Sequence, residues 1–205
     1  MTNQEALIAE ASEQDEELAR ADWYGTLASL FCAPPSQELL DRIAAANLGG
    51  GGLLQDAWGE LAVVAGKMDA EAVKDEYERL FIGVGKPEVM LYGSYYLSGF
   101  LMEKPLVALR TDLSVLGLQR AETMVESEDH IAALCEVMRY LITSDDVRHT
   151  GLSAQKKFFA DHLQPWVNTL WETLEQRADA VFYAPAAHVA RCYFEIEMQA
   201  FDLFA

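Results

Sequence analysis

The sequence predicts an all-α fold, a single irregular bundle of about nine or ten helices, and three observations carry that reading. Apolar residues recur at three- and four-residue steps, as at Ile131, Leu134, Cys135, Met138, Leu141 and Ile142, which places them on one helix face. No stretch alternates apolar and polar residues with period two, as a half-buried strand does. Proline, glycine and serine fall between the periodic segments at positions that suit helix ends, at Pro34-Pro35, Gly117, Pro165 and Pro185 among others.

The first helix is predicted from about Glu5 to Phe31, with Arg20, Tyr24, Leu27 and Phe31 at helical steps and Trp23, Leu27 and Leu30 on adjoining rows. Pro34-Pro35 ends it, and Ser36 suits the cap of a short helix running to about Ala45. The glycine tract 49–52 is a turn, and helices follow from about Leu53 to Lys67 and from Asp69 to Ile82. Residues 83–104 break the helical pattern with Gly83, Gly85 and Pro87. They then concentrate Tyr92, Tyr95, Tyr96 and Phe100 among Gly93, Ser94, Ser98 and Gly99. Loops in compact helical domains are usually short and polar, so this one reads as a binding surface or a tied-down crossover, although any single aromatic here suits the core equally well. Pro105 opens a helix carrying Leu106, Leu109, Leu113 and Leu116, and Gly117 stops it. A polar segment, 119–126, leads to Ser127-Glu128-Asp129-His130 and the Ile131–Ile142 stripe. Thr150-Gly151 then breaks the chain, Ser153 suits a cap for a helix through Asp161, and Pro165 opens one bearing Val167, Leu170, Trp171 and Leu174. The last helix begins near Pro185, carries Val189, Cys192, Tyr193 and Ile196, and runs toward the C-terminus.

At 205 residues and 22.8 kDa the chain is expected to form a single domain, 1–205, with 83–104 as a long loop or hinge between its N- and C-terminal halves. An apolar content of 51% excludes a disordered chain, and no apolar run reaches the length of a bilayer span. The acidic N-terminal segment lacks the basic-then-apolar order of a secretory signal, so a cytoplasmic location is expected. A net charge of −18, from 33 acids against 15 bases, disfavours nucleic acid and anionic membrane and steers cationic partners inward.

Few residues offer catalytic chemistry. Cys32, Cys135 and Cys192 are scattered through apolar patterns, with no Cys/His cluster, so they are expected to be buried free thiols, and no metal or cofactor is expected. Gly83-Val84-Gly85-Lys86 fails as a phosphate loop, because the pattern puts Leu80 where a glycine is needed and Pro87 where a Ser or Thr is needed. Glu128-Asp129-His130 sits at a predicted helix start. Ser127 or Asp129 there is expected to cap free N–H groups, with His130 as the first or second helical residue. The functional alternative is an exposed acid–imidazole pair that binds a cationic or polar group. No nucleophile accompanies it, which argues against an enzyme. His149, His162 and His188 lack ligand spacing. The four tryptophans fit apolar faces, and Glu195 and Glu197 fit a solvated one.

Three segments together resemble the TorD/DmsD/NarJ family of cytoplasmic chaperones for molybdenum enzymes. Tyr92-Gly93-Ser94-Tyr95-Tyr96-Leu97-Ser98-Gly99 is similar to the family's aromatic-x-S-x-aromatic-L-x-G segment. Glu126 to His130 and the helix after it are similar to its E-x-x-D-H pattern. Phe158, His162, Leu163, Pro165, Trp166, Phe182 and Tyr183 resemble its F-x-x-x-H-L-x-P-W … F-Y segment. Many members carry Pro two residues before the Asp, where this chain has Ser127, a residue that also suits a helix start.

The resemblance implies a TorD-like helical fold and a non-enzymatic maturation chaperone. Such a protein binds the twin-arginine signal peptide and apo form of a molybdopterin oxidoreductase and holds it for cofactor insertion before export. The LSGFLMEKPL run is more similar to chaperones of formate-dehydrogenase-type clients. The implied peptide site has Glu128, Asp129 and His130 at one end of a groove and Tyr92, Ser94, Tyr96 and Gly99 along it. Carboxylates pair with the arginines and the Tyr/Met/Leu surface takes the apolar stretch. Asp129→Ala or Tyr96→Ala is then expected to weaken leader binding with helicity intact. The protein is expected as a monomer or a domain-swapped dimer hinged at 83–93. The competing readings are a small acidic enzyme using Asp129 and His130 as acid and base, and a general helical adaptor.

Overall fold

The computed structural model describes residues 3–121, 124–144 and 151–203, with side chains from residue 14 onward. Among the described residues it contains ten α-helices, one π-helical turn and no strand. The helices are α1 (Asn3–Cys32), α2 (Gln37–Ala45), α3 (Leu53–Ala65), α4 (Ala70–Tyr77), α5 (Gly93–Ser98) and α6 (Lys104–Val115), followed by α7 (Ile131–Thr143), α8 (Leu152–His162), α9 (Val167–Glu175) and α10 (Tyr183–Leu203). The π-helical turn, Glu78–Ile82, continues α4. The all-α expectation and the number of helices hold. His149 and Thr150 lie outside the described residues.

Local chemistry sets most of the boundaries. Ser36 accepts the Leu39 N–H at 3.3 Å to cap α2, and Asp69 accepts the Ala72 N–H at 2.9 Å to cap α4. Pro105 stands in the first turn of α6, where its missing N–H costs nothing. Gly83 is fixed by space as well as by backbone. Its φ is +65°, and a Cβ there would lie 2.1 Å from the Lys86 carbonyl oxygen, so the Gly83–Lys86 stretch is a tight turn rather than an anion loop.

α1 lies along α7, α10 packs on α9 and α3, α2 packs on α3, and α7 also meets α8. Their shared core is aromatic: the Phe31 ring contacts Phe81, Trp171 and Tyr183, while Phe194 meets Tyr24, Phe159 and Trp171. Truncating one such ring costs about 3–5 kcal/mol. Trp58, Trp166 and Trp171 are buried as expected, and Trp23 is half-buried.

Several surface and cap expectations are corrected. Glu197, expected on a solvated face, is only 1% exposed. The buried stripe of α10 runs through Ala186, Ala190, Tyr193, Glu197 and Phe201, which leaves Ile196 on the solvent side. Arg20 of α1 grips Glu197 with two prongs, Nε at 2.8 Å and Nη2 at 2.7 Å, and the Tyr24 hydroxyl donates to it at 2.9 Å. A buried carboxylate persists when it is paired and hydrogen-bonded in this way. Cys32 is exposed because α1 ends there, clear of the core, whereas Cys135 and Cys192 are buried. Ser153 lies inside α8, whose cap position is Gly151.

A second buried carboxylate, Glu76 of α4, accepts the Phe182 N–H at 3.0 and 3.1 Å and the Tyr183 N–H at 2.9 Å. It caps α10 from a distant part of the chain. Glu76→Leu orphans both donors inside the core, at about 1–3 kcal/mol each. Urea unfolding is expected to show a loss of about 2 kcal/mol or more, and an unchanged midpoint would contradict this capping role.

Candidate functional site

The π-helical turn delivers the chain into an extended stretch. The Leu80 carbonyl accepts the N–H groups of Glu88 and Val89, both at 2.9 Å, and Val89 and Leu91 are buried beyond it. This stretch meets the start of α7 in one antiparallel bridge between Tyr92 and His130. The Ile131 N–H donates to the Leu91 carbonyl at 2.8 Å, and the Gly93 N–H donates to the Asp129 carbonyl at 2.9 Å.

α5 begins at that point, inside 83–104. Its second residue, Ser94, donates its backbone N–H to the Asp129 carboxylate at 2.8 Å, and the Ser127 hydroxyl donates to the other oxygen of the same carboxylate. Asp129 and Ser94 are both buried. Asp129 therefore caps α5, which precedes it in sequence by more than thirty residues, and not α7. The α7 cap is His130, whose ring Nδ1 accepts the Ala132 N–H at 3.2 Å. This corrects the expectation that Asp129 or Ser127 caps α7 with His130 inside the helix. The physical reason is the bridge, which holds residue 130 extended (φ −64°, ψ 136°) and leaves Asp129 facing α5.

The remaining predicted residues lie around this junction. Tyr92 meets His130 edge to face at 5.1 Å and donates its hydroxyl to the Glu126 carboxylate. Glu128 pairs with Arg110 of α6 at 2.8 Å. Tyr96 stacks on Trp166 at 5.4 Å and donates its hydroxyl to the Met90 carbonyl at 2.8 Å. Gly93 is needed under that stack, because a Cβ would come within 3.0 Å of the Trp166 indole nitrogen. Gly99 ends α5 in the left-handed region at φ +82°. The structure thus brings together Tyr92, Ser94, Glu128, Asp129 and His130, while Tyr96 and Gly99 belong to the packing and termination of α5.

Two cavities flank the junction. The larger, about 500 Å³, runs between α1, the end of α6, residues 118–121 and 124–128, and α7. Its walls include Ala28, Leu113, Leu118, Ala133, Val137 and Tyr140, and its polar lining includes Glu126, Glu128, Glu136 and His130. The smaller, about 210 Å³, lies between α5, α6 and α8 and takes in Ser94, Asp129, Asp112 and His162, the last two 2.8 Å apart. The predicted residues are divided between them: Glu128 and His130 face the larger and Ser94 and Asp129 the smaller. Sequence reasoning missed the walls of the larger groove. The signal available was a second apolar row on α7, Ala133, Val137 and Tyr140 at i, i+4 and i+7, beside the stripe that feeds the core.

Electrostatics sharpen the junction. Burial lowers the His130 pKa from its usual 6.5, against the pull of the Glu126 and Asp129 charges. Burial acts to raise Glu128, but its hydrogen bond to Arg110 and the Arg110 charge outweigh that and lower it overall. Among the described residues no group of three or more His, Cys, Asp or Glu side chains is arranged to hold a metal ion.

Two outcomes follow for this junction. Asp129→Ala leaves the Ser94 N–H and the Ser127 hydroxyl without their acceptor, so it is expected to reduce stability by about 2–4 kcal/mol and to speed amide exchange in α5, rather than to act on binding alone. A lowered histidine pKa means that the unfolded chain binds more protons just below 6.5. The stability His130 contributes is therefore complete above 6.5 and is lost as pH falls through its lowered value. Urea unfolding across that range is expected to show this loss in the wild type and a flatter profile in His130→Asn, which keeps a capping oxygen. The same slope in both proteins would contradict the assignment.

Residues 52–172 match the family model described as nitrate reductase delta subunit. Chaperone protein TorD from two strains of Vibrio cholerae serotype O1 is 27% and 26% identical to this chain over 130 residues, covering 60% of the chain. The match spans 59% of the length of those curated relatives. A crystal structure of an Archaeoglobus fulgidus protein assigned as a redox enzyme maturation protein shares the fold, with a TM-score of 0.54 at 21% identity over 84% of this chain and 93% of that one.

Proposed function

The chain belongs to the nitrate reductase delta subunit family, and on that premise we propose that it is a redox enzyme maturation chaperone. It binds the twin-arginine leader and the apo form of a molybdopterin oxidoreductase in the cytoplasm and holds the subunit until its cofactor is inserted. The curated relatives with which it shares sequence are named as chaperones. The client is a formate-dehydrogenase-type subunit, following the resemblance of the LSGFLMEKPL run.

The observation that carries the reading is the larger groove. Its walls are mostly apolar, and Glu126, Glu128 and Glu136 supply carboxylates along it. A leader consisting of two arginines followed by an apolar stretch suits a groove that offers both kinds of surface. Guanidinium groups fork onto partly desolvated carboxylates, and the apolar segment covers Leu113, Leu118 and Val137. Asp129 has no part in that pairing, because both of its oxygens are taken by Ser94 and Ser127. The same occupancy favours a binding role over acid–base chemistry, which needs a carboxylate free to exchange protons with a substrate. A second apolar surface, Leu97, Phe100, Leu101 and Met102 at the end of α5, is exposed and available to the mature part of the client.

Ala133 stands on the groove face of α7, so Ala133→Phe fills the groove without entering the core. Calorimetry with a synthetic twin-arginine peptide is expected to show a loss of affinity of about tenfold or more for Ala133→Phe, and a smaller, salt-sensitive loss for Glu128→Gln. The melting temperature of Ala133→Phe is expected to stay within a few degrees of wild type. Undiminished binding by Ala133→Phe would show that the leader binds elsewhere.

A further inference from the structure

Two neighbouring tryptophans place their indole N–H groups differently. Trp166 donates its Nε1–H to the carbonyl of His162, one helical turn earlier, at 2.7 Å. Trp171 is fully buried between Phe31 and Phe194, with ring centroids 5.3 and 5.8 Å away, and its Nε1–H meets no acceptor within the protein. One other buried side-chain atom among the described residues lacks a partner, and it is an acceptor, Oδ1 of Asn168. Leaving a buried donor or acceptor unmade costs more than an ordinary hydrogen bond gains, so native cores pair such groups with protein or with ordered water.

Both atoms belong to α9, three residues apart, which puts their side chains on neighbouring rows of the helix. Long side chains in a helix lean toward its N-terminus, so the Trp171 indole extends over the turn that holds Asn168. The two atoms are complementary, one N–H and one carbonyl oxygen, yet they do not bond to each other. Exchanging the oxygen and nitrogen of the amide would set a donor against a donor and satisfy neither. What completes both is a group that accepts from one and donates to the other. Neither atom is charged and the rings around the indole are aromatic, which disfavours an ion. Water is the smallest molecule with both capacities, and Asn168 is only half-buried, which gives solvent a route to the site.

We infer that α9 holds one internal water that accepts the Trp171 indole N–H and donates to the Asn168 side-chain carbonyl. The site stands apart from leader binding, since neither residue lines either cavity. The water fixes the orientation of the Trp171 ring between α1 and α10, which apolar packing alone leaves less specified.

Water-selective NMR on the full nitrogen-15-labelled chain tests this at the indole proton itself, assigned with Trp171→Phe. In the wild type that proton is expected to show a nuclear Overhauser contact to water, with opposite signs in the laboratory and rotating frames, which distinguishes a held water from proton exchange. Asn168→Asp keeps an acceptor oxygen and is expected to keep the contact, whereas Asn168→Leu removes the acceptor and is expected to lose it. The wild-type spectrum decides without any variant: a Trp171 indole proton with no water contact would overturn the inference. A contact that survives in Asn168→Leu would overturn it too, because the water would then be held by another group.

Discussion

The site is organised by one carboxylate that serves a helix far from it in sequence. Asp129 sits just before α7, yet it accepts the Ser94 N–H at the start of α5. A six-residue helix is too short to hold itself in water, because nucleating a helical turn is costly, so α5 depends on what docks against it. Asp129 supplies the acceptor at its start, and the Tyr96–Trp166 stack supplies the packing. With that clasp in place the bridge to Tyr92 forms, His130 is held extended, and α7 begins with an imidazole cap. The junction thus orients the α7 wall of the groove, with Glu128 and His130 on the groove side and Ser94 and Asp129 on the side of the smaller cavity.

The groove itself balances two opposing terms. Its apolar lining favours burial of an apolar segment, the proposed role, at roughly 25 cal/mol per Å². Its carboxylates are partly committed already, Glu128 to Arg110 and Glu126 to the Tyr92 hydroxyl. On the proposed leader-binding reading, a guanidinium arriving at Glu128 shares or displaces Arg110, which moderates the affinity. The −18 charge of the chain raises the encounter rate with cationic segments more than it raises the affinity, and salt screens that contribution.

The fold was legible in the sequence because its helices are marked by periodicity and by local stop residues. Ser36, Pro105 and Gly117 act within one turn of themselves, and the structure places them as read. The errors share a different origin, since each involves a partner distant in sequence. Glu197 read as solvated because the Arg20 that neutralises it is 177 residues away, and Glu76 gave no sign that it caps α10. At the site, the proximity of the 92–99 segment to Asp129 and His130 followed from the family resemblance rather than from periodicity, and the structure joins them at Tyr92 and Ser94. The capping roles of Asp129 and His130 were misassigned because a β-bridge one residue long leaves no pattern in a sequence. The groove walls were missed because Ala133, Val137 and Tyr140 form a second apolar row beside the core stripe, and periodicity does not say what such a row faces.

On the proposed function, the groove between α1 and α7 receives an arginine-led apolar segment. The most direct test is methyl and amide NMR mapping of the full chain titrated with a twin-arginine peptide. The largest shifts are expected on Leu113, Leu118, Ala133 and Val137, with small shifts at Leu97 and Ala108 beside the smaller cavity. Shifts concentrated on the smaller cavity or on the outer face of α10, with the α7 groove face unmoved, would contradict it.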